Sequence, residues 1–416
     1  MDRRGGQAIA YLTPRDAALA VRGTGRILLG GCAADPVEML DVVESDPEIW
    51  QNIITTGAFI PGVNDRDYSA LGQGGSVETI FVTPGLRAGF ALGRVNHLPM
   101  HYTAFHDRIA RPGIVDFVII NVPPPQSGSV GLGICADFAP AAIAAGARLI
   151  GLVNPEMPDV KGAPRLSLDR FELLAETSVP LPELSIGKPD KISRNIASRI
   201  ANLVPDRGTL QLGLGTLQTA VLEALRGRND LSFHGGMISD GVLHAVAEGG
   251  FARGVTTGVA LGSREFYGRL ASTTPIAFVP VDLTHGLHAL RQIPRLISVN
   301  SCLEIDLTGQ ANVEYLDGAQ NSGQGGMIDF IRGARASLGG VAILALPSTA
   351  RRRSVSRIVV NLPQGTPVSV ARSDIDVVVT EHGVADLREV GMATRRERLI
   401  AVADPAFRQA LSRESK

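Results

Sequence analysis

Short apolar runs recur along the whole chain, and segments of helical length separate them. Most runs end in glycine, asparagine or aspartate, which is typical of parallel strands joined by crossover helices, so the pattern predicts an α/β protein. In the first half the predicted strands are RILLGG (26–31), DFVIINV (116–122) and ARLIGLVN (147–154), and the alanine-rich stretch between the last two predicts one crossover helix. In the second half they are TLQLGLG, LSFHGGM, IAFVPVD, RLISVN, VAILALP and DVVVTEHG.

The stretch PLPELSIGKPDK (180–191) predicts a domain boundary, because its three prolines and one glycine disfavour regular structure. Ile192, Ile196 and Ile200 then repeat at four-residue spacing, which predicts a helix with one buried face. We therefore expect two similar α/β domains, residues 1–185 and 186–416. Ligands of open parallel sheets bind beyond the carboxyl ends of the strands, so we expect the active site in the cleft between the domains.

The charge and cysteine content exclude several classes of partner. Forty Lys and Arg residues stand against 41 Asp and Glu residues, so no overall field draws the chain to nucleic acid or to an acidic membrane. No apolar run reaches the length of a membrane span, and the N-terminal segment lacks the apolar core of a signal peptide. Cys32, Cys135 and Cys302 are few and widely separated, which favours reduced thiols in a cytoplasmic protein.

Three segments have the composition of a site for an anion or a thioester. LQLGLGTLQTAVLEAL predicts a strand, a turn containing Gly213 and Gly215, and a helix whose first N–H groups could hold a phosphate or an oxyanion. The third glycine of a dinucleotide fingerprint is missing, so NAD binding is disfavoured, while a plain turn and a thioester site both stay open. The glycine-rich block and the arginine run that follow in the chain contain Gly323, Gly325, Gly326, Arg351, Arg352 and Arg353.

The glycine-rich block, GAQNSGQGGMIDFIRGA (318–334), indicates close approach of backbone to a ligand, or a surface loop before a helix that starts near Met327. The arginine run comes directly after a predicted strand. It is either a solvated face or a binding site for the phosphates of a nucleotide-like cofactor.

Blocks of the second half together resemble the acetyl-CoA hydrolase/transferase family, which includes 4-hydroxybutyrate and itaconate CoA-transferases. They are SVNSCLEIDLTGQANVE, SGQGGMIDFIRGA, ALPSTA…SRIV and DIDVVVTEHGVADLR. The resemblance extends into the first half through LTPRDAALAVRGTGRILLGG, IFVTPGLRAGFALGR and LIGLVNPEMPDVKG. It implies the CoA-transferase fold with two similar domains, coenzyme A as part of an acyl-CoA substrate, and a homodimer.

The resemblance also implies a catalytic glutamate, whose carboxylate attacks an acyl-CoA, becomes a glutamyl thioester and passes CoA to a second acid. The family's His-Ser/Thr-Glu-Met segment reads HGGM (234–237) here, so Gly236 stands at the glutamate position and has no side chain for that attack. Other departures from the family pattern indicate a rebuilt site rather than one isolated change. They are Ala104, Pro125, Ser127 and Gln218.

Few side chains remain for the chemistry. Glu381, in VVTEHG, matches a family glutamate that lines the cleft, and it acts either as base or nucleophile or only by positioning other groups. His101 and His106 are candidate general bases, with packing as the alternative. The histidine spacing permits a metal cluster, but no cysteine or carboxylate stands at ligand spacing, so we expect no metal.

These residues predict an acyl-CoA-processing enzyme in which water replaces the missing glutamate. The bond that is cut is either the thioester or a carbon–carbon bond of a β-oxoacyl-CoA, and the glycine N–H groups stabilise the oxyanion. One alternative is a true acyl-CoA:carboxylate CoA-transferase that uses Glu381. Another is a non-catalytic acyl-CoA-binding protein. The expected partners are acyl-CoA with a small carboxylic acid or water.

Overall fold

The structure is a computed structural model that describes residues 3–4, 7–8, 11–272 and 276–414. It contains two compact units: unit 1 comprises Met1–Ser185 and Thr256–Thr284, and unit 2 comprises Ile186–Val255 and His285–Lys416. The segment Thr256–Thr284 therefore differs from the predicted ranges, which placed it in the second domain. The reason lies in backbone pairing within unit 1. The N–H of Phe278 donates to the carbonyl of Gly162 at 2.9 Å, for example.

Unit 1 is built on a seven-stranded sheet in which all neighbouring strands are parallel. Side by side, the strands are Leu173–Glu176, Arg148–Val153, Phe117–Val122, Arg26–Leu29, Ile54–Gly57, Ser76–Thr79 and Val95–His97. All six residues of Phe117–Val122 are buried, as expected for a central strand covered on both faces. The three first-half runs predicted as strands are confirmed.

Unit 1 also contains helices, 3₁₀ turns and short strands outside this sheet. The α-helices are Pro14–Ala20, Val37–Ser45, Arg87–Ala91, Tyr102–Ile109, Ala139–Ala144, Arg264–Leu270 and Val281–Thr284. The 3₁₀ turns are Cys32–Ala34, Pro47–Ile49, Tyr68–Ala70, Pro84–Leu86 and Leu168–Arg170. The remaining strands are Arg3–Arg4, Gln7–Ala8, Ser129–Gly131, Arg165–Ser167, Val259–Ala260 and Ile276–Phe278, together with Val255–Thr257, which begins on the last residue of the first segment of unit 2.

Six strands of unit 2 also lie side by side. Their order is Ser232–His234, Thr209–Leu212, Leu296–Ser301, Val341–Ala345, Val377–Thr380 and Gly383–Asp386. The first five are parallel, and the last pairs antiparallel with its neighbour in a hairpin. Each predicted second-half run forms a strand, although IAFVPVD forms its strand within unit 1.

The helices of unit 2 are Lys191–Ala201, Thr216–Ala224, Asp240–Ala247, Leu287–Leu290, Met327–Ala336, Met392–Val402 and Pro405–Glu414. Its short strands are Met237–Ile238, Glu304–Asp306, Ala311–Asn312, Tyr315–Leu316, Ala319–Gln320, Thr349–Ala350, Val355–Ser356 and Ile358–Val359. The helix predicted from the isoleucine repeat is confirmed, and the Asp190 carboxylate caps it by accepting from the Ser193 N–H at 2.7 Å. No described helix is long and apolar enough to cross a membrane.

Each sheet has a point at which the chain reverses its direction of strand addition. In unit 1 this point lies between Arg26–Leu29 and Phe117–Val122, and in unit 2 it lies between Thr209–Leu212 and Leu296–Ser301. In open α/β sheets, ligands bind beyond the carboxyl ends of the strands at such switch points. The topology therefore predicts a ligand-binding site at the carboxyl edge of the sheet in each unit.

Candidate active site

The carboxyl edge of the unit 2 sheet collects several of the predicted site residues. Gly213 and Gly215 follow Thr209–Leu212, Gly236 follows Ser232–His234, and Glu381 follows Val377–Thr380. These strands run parallel within one sheet, so their carboxyl ends lie along the same edge.

The turn with Gly213 and Gly215 lies at the switch point of unit 2. Gly215 has φ +133° and precedes the helix Thr216–Ala224, whose first turn has no side-chain cap. The amide of Gln218, in the first turn of this helix, donates to the Ser301 hydroxyl at 3.1 Å and so connects the helix to the end of the strand Leu296–Ser301. The turn thus leaves N–H groups at the helix start without a capping side chain, as an oxyanion site requires.

The ring of His285 fills the space beside Gly236. A Cβ built on Gly236 would lie 2.7 Å from Cε1 and 2.9 Å from Nε2 of His285, and one built on Gly326 would meet the same ring more closely still. His285 is only 4% exposed, and its ring centroid lies 4.4 Å from that of Phe330. Both glycines are partly exposed. The absence of two side chains therefore provides the space for one buried imidazole.

The glycine-rich block forms the loop before the helix Met327–Ala336, whose predicted start is confirmed. Gly323 and Gly325 are buried, Gly325 has φ +56°, and Gly326 is the residue at the N-cap. Within the described residues, the N–H groups of Gly236, Gly325 and Gly326 donate to no protein acceptor. Backbone donors of this kind can stabilise the negative oxygen that forms when a thioester carbonyl is attacked.

Two hydrogen bonds from Ser348 hold the carboxylate of Glu381, and Nε2 of His382 lies 3.8 Å from its Oε1. Its Oε2 accepts from the backbone N–H of Ser348 at 2.9 Å, and its Oε1 accepts from the Ser348 hydroxyl at 2.7 Å. The Glu381 side chain is 10% exposed. Both oxygens thus bind the loop that follows Val341–Ala345, which is the geometry of a positioning residue.

The arginine run forms the exposed tip of the hairpin between Thr349–Ala350 and Val355–Ser356. Arg351 pairs with Asp317, and Arg353 pairs with Asp404 at 2.8 Å. The hydrogen bond from Arg353 lowers the pKa of the Asp404 carboxyl below its ordinary value. Two of the three predicted phosphate-binding side chains therefore have carboxylate partners, and Arg352 extends the same exposed tip.

His101 and His106 lie in unit 1, at the start and in the last turn of the helix Tyr102–Ile109. Nδ1 of His101 lies 3.0 Å from the Thr103 hydroxyl, and Nδ1 of His106 lies 3.3 Å from the Asp107 carboxylate. The two imidazoles have different partners, and their predicted roles as bases stay predictions.

A second group of ionisable residues lies at the switch point of unit 1. A cavity of about 20 Å³ is lined by Gly30, Gly31, Cys135 and Asp137, among others. Burial raises the pKa of Asp137 to about 7. Burial also raises the pKa of Asp35 to about 6, although this carboxylate accepts hydrogen bonds from Tyr68 at 2.6 Å and Asn64 at 3.2 Å.

The three cysteines are buried free thiols. Burial raises the pKa of all three, which keeps them in the unreactive thiol form. Among the described residues, no three His, Cys, Asp or Glu side chains come together as a metal site would need.

Sequence reasoning missed His285 and Asp137. His285 stands in THGLHAL, with no motif around it, and its relation to Gly236 and Gly326 arises only when three separate loops meet. For Asp137 a signal did exist, because a carboxylate in the apolar context GICADFAP, just before a predicted helix, is a candidate for burial.

Comparison with known proteins identifies the family and the fold. Residues 262–415 match the model of the acetyl-CoA hydrolase/transferase C-terminal domain. The chain is 29% identical to the 4-hydroxybutyrate coenzyme A transferase of Clostridium kluyveri, with 97% of each chain covered. It is 30% identical to the succinyl-CoA:acetate/propanoyl-CoA:succinate CoA transferase of Fasciola hepatica, over 80% of this chain and 73% of that one. The crystal structure of RipA from Yersinia pestis gives a TM-score of 0.90 at 29% identity, covering 97% of this chain and 96% of RipA.

The fold and these relatives define an α/β enzyme with the CoA-transferase fold. The chain belongs to the acetyl-CoA hydrolase/transferase family and processes acyl-CoA. The resemblance drawn from the sequence is confirmed at the level of the family. The assignment of Gly236 to the position of the catalytic glutamate stays a prediction.

Proposed function

We propose that this enzyme hydrolyses an acyl-CoA thioester, with water in place of a carboxylate nucleophile. One observation carries the proposal: position 236, which the resemblance assigns to the nucleophilic glutamate, has no side chain, and the imidazole of His285 fills the adjoining space. A covalent glutamyl intermediate therefore cannot form at this position, because glycine has no carboxylate. The His285 ring also occupies the space that a longer side chain would need. Water needs no side chain there.

The proposed reaction consumes one water molecule and cleaves the thioester. A water oxygen bonds to the thioester carbonyl carbon and loses one proton to a base. The tetrahedral oxyanion collapses, the carbon–sulfur bond breaks, and the departing CoA thiolate takes up a proton. The products are a carboxylic acid and CoA. The N–H groups of Gly236, Gly325 and Gly326, and those of the turn with Gly213 and Gly215, are the proposed donors to the oxyanion.

The alternative of CoA transfer through Glu381 is less well supported. A nucleophilic carboxylate needs at least one oxygen directed at the substrate carbonyl. Both oxygens of Glu381 accept hydrogen bonds from Ser348, which lowers their nucleophilicity and fixes their direction. We assign Glu381 the role of holding the Ser348 loop, and the arginine tip the role of meeting the CoA phosphates.

The test is a product assay over a panel of acyl-CoA substrates, with and without small carboxylic acids. We expect CoA release that does not depend on an added acid, with no acyl-CoA of the added acid formed. Formation of a new acyl-CoA at a rate comparable to CoA release would support transfer. A β-oxoacyl-CoA in the panel distinguishes the bond that is cut, because carbon–carbon cleavage yields a shorter acyl-CoA instead of free CoA. Binding of CoA without turnover would support a non-catalytic role.

The assembly and location expected from the sequence belong to the same proposal. We propose a cytoplasmic homodimer that needs no metal and no NAD. The buried free thiols support a reducing compartment, and sedimentation of the purified protein tests the dimer.

A further inference from the structure

The turn between the last two strands of the unit 2 sheet places a histidine next to Glu381. Because Thr380 pairs with Gly383 across the hairpin, this turn consists of two residues. They are Glu381 and His382, at the carboxyl edge of the sheet. The N–H of His382 donates to the Thr380 hydroxyl at 3.0 Å, so the backbone of the turn is held at its start.

The ring of His382 lies between two carboxylates. Its Nε2 is 3.8 Å from Oε1 of Glu381 and 3.7 Å from Oδ2 of Asp404, which are ion-pair distances when the ring carries a proton. Nε2 is buried and has no hydrogen-bond partner among the described residues, whereas 23% of the side chain is exposed. The ring therefore has one nitrogen close to two anions and an exposed part that can exchange protons with solvent.

Asp404 connects this ring to the arginine tip. Its Oδ2 accepts from Nη2 of Arg353 at 2.8 Å, and its Oδ1 accepts from the N–H of Ala406 at 3.0 Å. The hydrogen bond from Arg353, together with the smaller effect of the charge on His382, holds the pKa of the Asp404 carboxyl below its ordinary value. The Asp404 side chain is 5% exposed and that of Arg353 is 69% exposed. A buried anion therefore shares two cationic neighbours, and the stronger one belongs to the exposed tip.

The charged groups around the ring are two carboxylates and two guanidinium groups. Glu381 and Asp404 lie next to Nε2. Arg353 binds Asp404, and Arg199, on the helix Lys191–Ala201, donates to the Glu381 carbonyl at 3.2 Å. Of these contacts, the pair of Asp404 with Arg353 involves the tip. An anion bound at the tip therefore competes with Asp404 for the guanidinium group.

We propose that His382 is a positioning residue that pairs with Asp404 when a phosphate of CoA binds Arg353. This inference rests on the proposed function, which assigns the arginine tip to the CoA phosphates. The phosphate accepts the hydrogen bond that Asp404 otherwise accepts, so the buried carboxylate loses its main cation. The imidazole then gains one proton from solvent, and the imidazolium lies between Asp404 and Glu381. No covalent bond changes, and the proton is released when CoA leaves.

Linkage fixes the sign of the pH dependence. Binding that takes up a proton is stronger at lower pH, so this contribution to CoA affinity grows as pH falls through the range, about 8 to 5, in which histidine becomes charged. The phosphate group of CoA also titrates near pH 6 and acts in the opposite direction. The comparison must therefore be made between variants that bind the same ligand.

The experiment is calorimetry of CoA binding to the full-length enzyme near pH 7, in two buffers of different ionisation enthalpy. It gives the number of protons taken up with each CoA. We expect the unmodified enzyme to take up at least ~0.3 proton more than His382→Gln. The control is His288→Gln, at an exposed position of the helix Leu287–Leu290, and it should behave as the unmodified enzyme does.

Steady-state kinetics separates this role from a structural one. His382→Gln should raise KM for acyl-CoA about fivefold or more, with kcat changed less than about threefold. Acyl-pantetheine lacks the nucleotide phosphates, so its KM should be the same for both proteins. His382→Arg keeps a positive charge that does not titrate near pH 7, so it should bind CoA more tightly than His382→Gln with equally low proton uptake. If one variant lacks a cooperative thermal transition, the other is used to compare proton uptake.

Two results would overturn the role of His382. One is equal proton uptake by the unmodified enzyme and a folded His382 variant, and the other is an equal rise of KM for acyl-CoA and acyl-pantetheine. If replacing Arg351, Arg352 and Arg353 by alanine leaves CoA affinity unchanged, the assignment of the tip to the phosphates fails, and the role of His382 fails with it. If the predicted proton uptake is found but no acyl-CoA is hydrolysed, only the proposed hydrolysis is wrong.

Discussion

The imidazole of His285 lies in the space that a side chain at Gly236 would enter, with Cε1 only 2.7 Å from the position of that side chain's Cβ. The two positions are therefore coupled by volume. A carboxylate at position 236 and the histidine ring in its present place exclude each other.

This coupling changes the expected outcome of restoring the glutamate. Gly236→Glu alone should destabilise the protein by about 1–3 kcal/mol through overpacking, and it should gain little CoA transfer. Gly236→Glu combined with His285→Ala should be more stable than the single variant and should transfer CoA to acetate or another small acid. Urea denaturation and an acyl-exchange assay on both variants, with His285→Ala as the control, test this. Equal stability effects of Gly236→Glu with and without His285 would contradict the coupling.

Glu381→Gln separates positioning from nucleophilic attack. Glutamine can accept only one of the two hydrogen bonds from Ser348, so we expect a loss of about 1–2 kcal/mol in stability and less than a tenfold fall in kcat. The exposed Glu397 on the helix Met392–Val402 provides a matched control, Glu397→Gln. A fall in kcat of ~10²-fold or more at unchanged KM would instead assign Glu381 to base or nucleophile.

The arginine tip should contribute to binding rather than to chemistry. Replacing Arg351, Arg352 and Arg353 by alanine should raise KM for acyl-CoA several-fold and leave kcat nearly constant, since phosphate contacts act equally in the ground state and the transition state. The corresponding acyl-pantetheine lacks the nucleotide phosphates, so its KM should not change. An unchanged KM for acyl-CoA would mean that the arginines serve only the ion pairs with Asp317 and Asp404.

Asp137 should make the stability of the protein depend on pH. Its pKa is about 7 in the folded protein and about 3.9 in an unfolded chain, so between about pH 4 and pH 7 only the folded state retains the proton. The free energy of unfolding should therefore fall as pH rises through this window, by about 4 kcal/mol at most. Asp137→Asn should remove this part of the dependence, while the Asp35 part, in the same direction, remains. Urea denaturation of both proteins at several pH values is the measurement, and identical slopes would show that Asp137 ionises freely.

The strands could be predicted because a strand that is buried on both faces consists of consecutive apolar residues, and such runs are visible in the sequence. VAILALP and DVVVTEHG each contain a continuous apolar stretch, and they form Val341–Ala345 and Val377–Thr380, which both have a neighbouring strand on each side. The polar ends of such runs also predicted which residues would share the carboxyl edge.

The contacts of the site could not be predicted in the same way. Glu381 binds Ser348 and His285 meets Gly236 across loops that are distant in the chain, so neither contact leaves a local pattern. The histidines that drew attention by their spacing, His101 and His106, lie in unit 1, whereas His285 has no conspicuous sequence neighbours. The local sequence pattern indicates which residues are buried and where the chain turns. Which side chains from distant segments meet in a site depends on the packing of the folded protein.

The most direct test of attack by water is a search for the covalent intermediate that water makes unnecessary. The enzyme is incubated with an acyl-CoA that it turns over, treated with sodium borohydride, digested and analysed by mass spectrometry. Borohydride reduces a glutamyl-CoA thioester to an alcohol, so any glutamate that carried CoA is marked. We predict that CoA is released while every glutamate, including Glu381, retains its original mass. A reduced glutamate formed only in the presence of acyl-CoA would contradict hydrolysis by water and would identify the enzyme as a CoA-transferase.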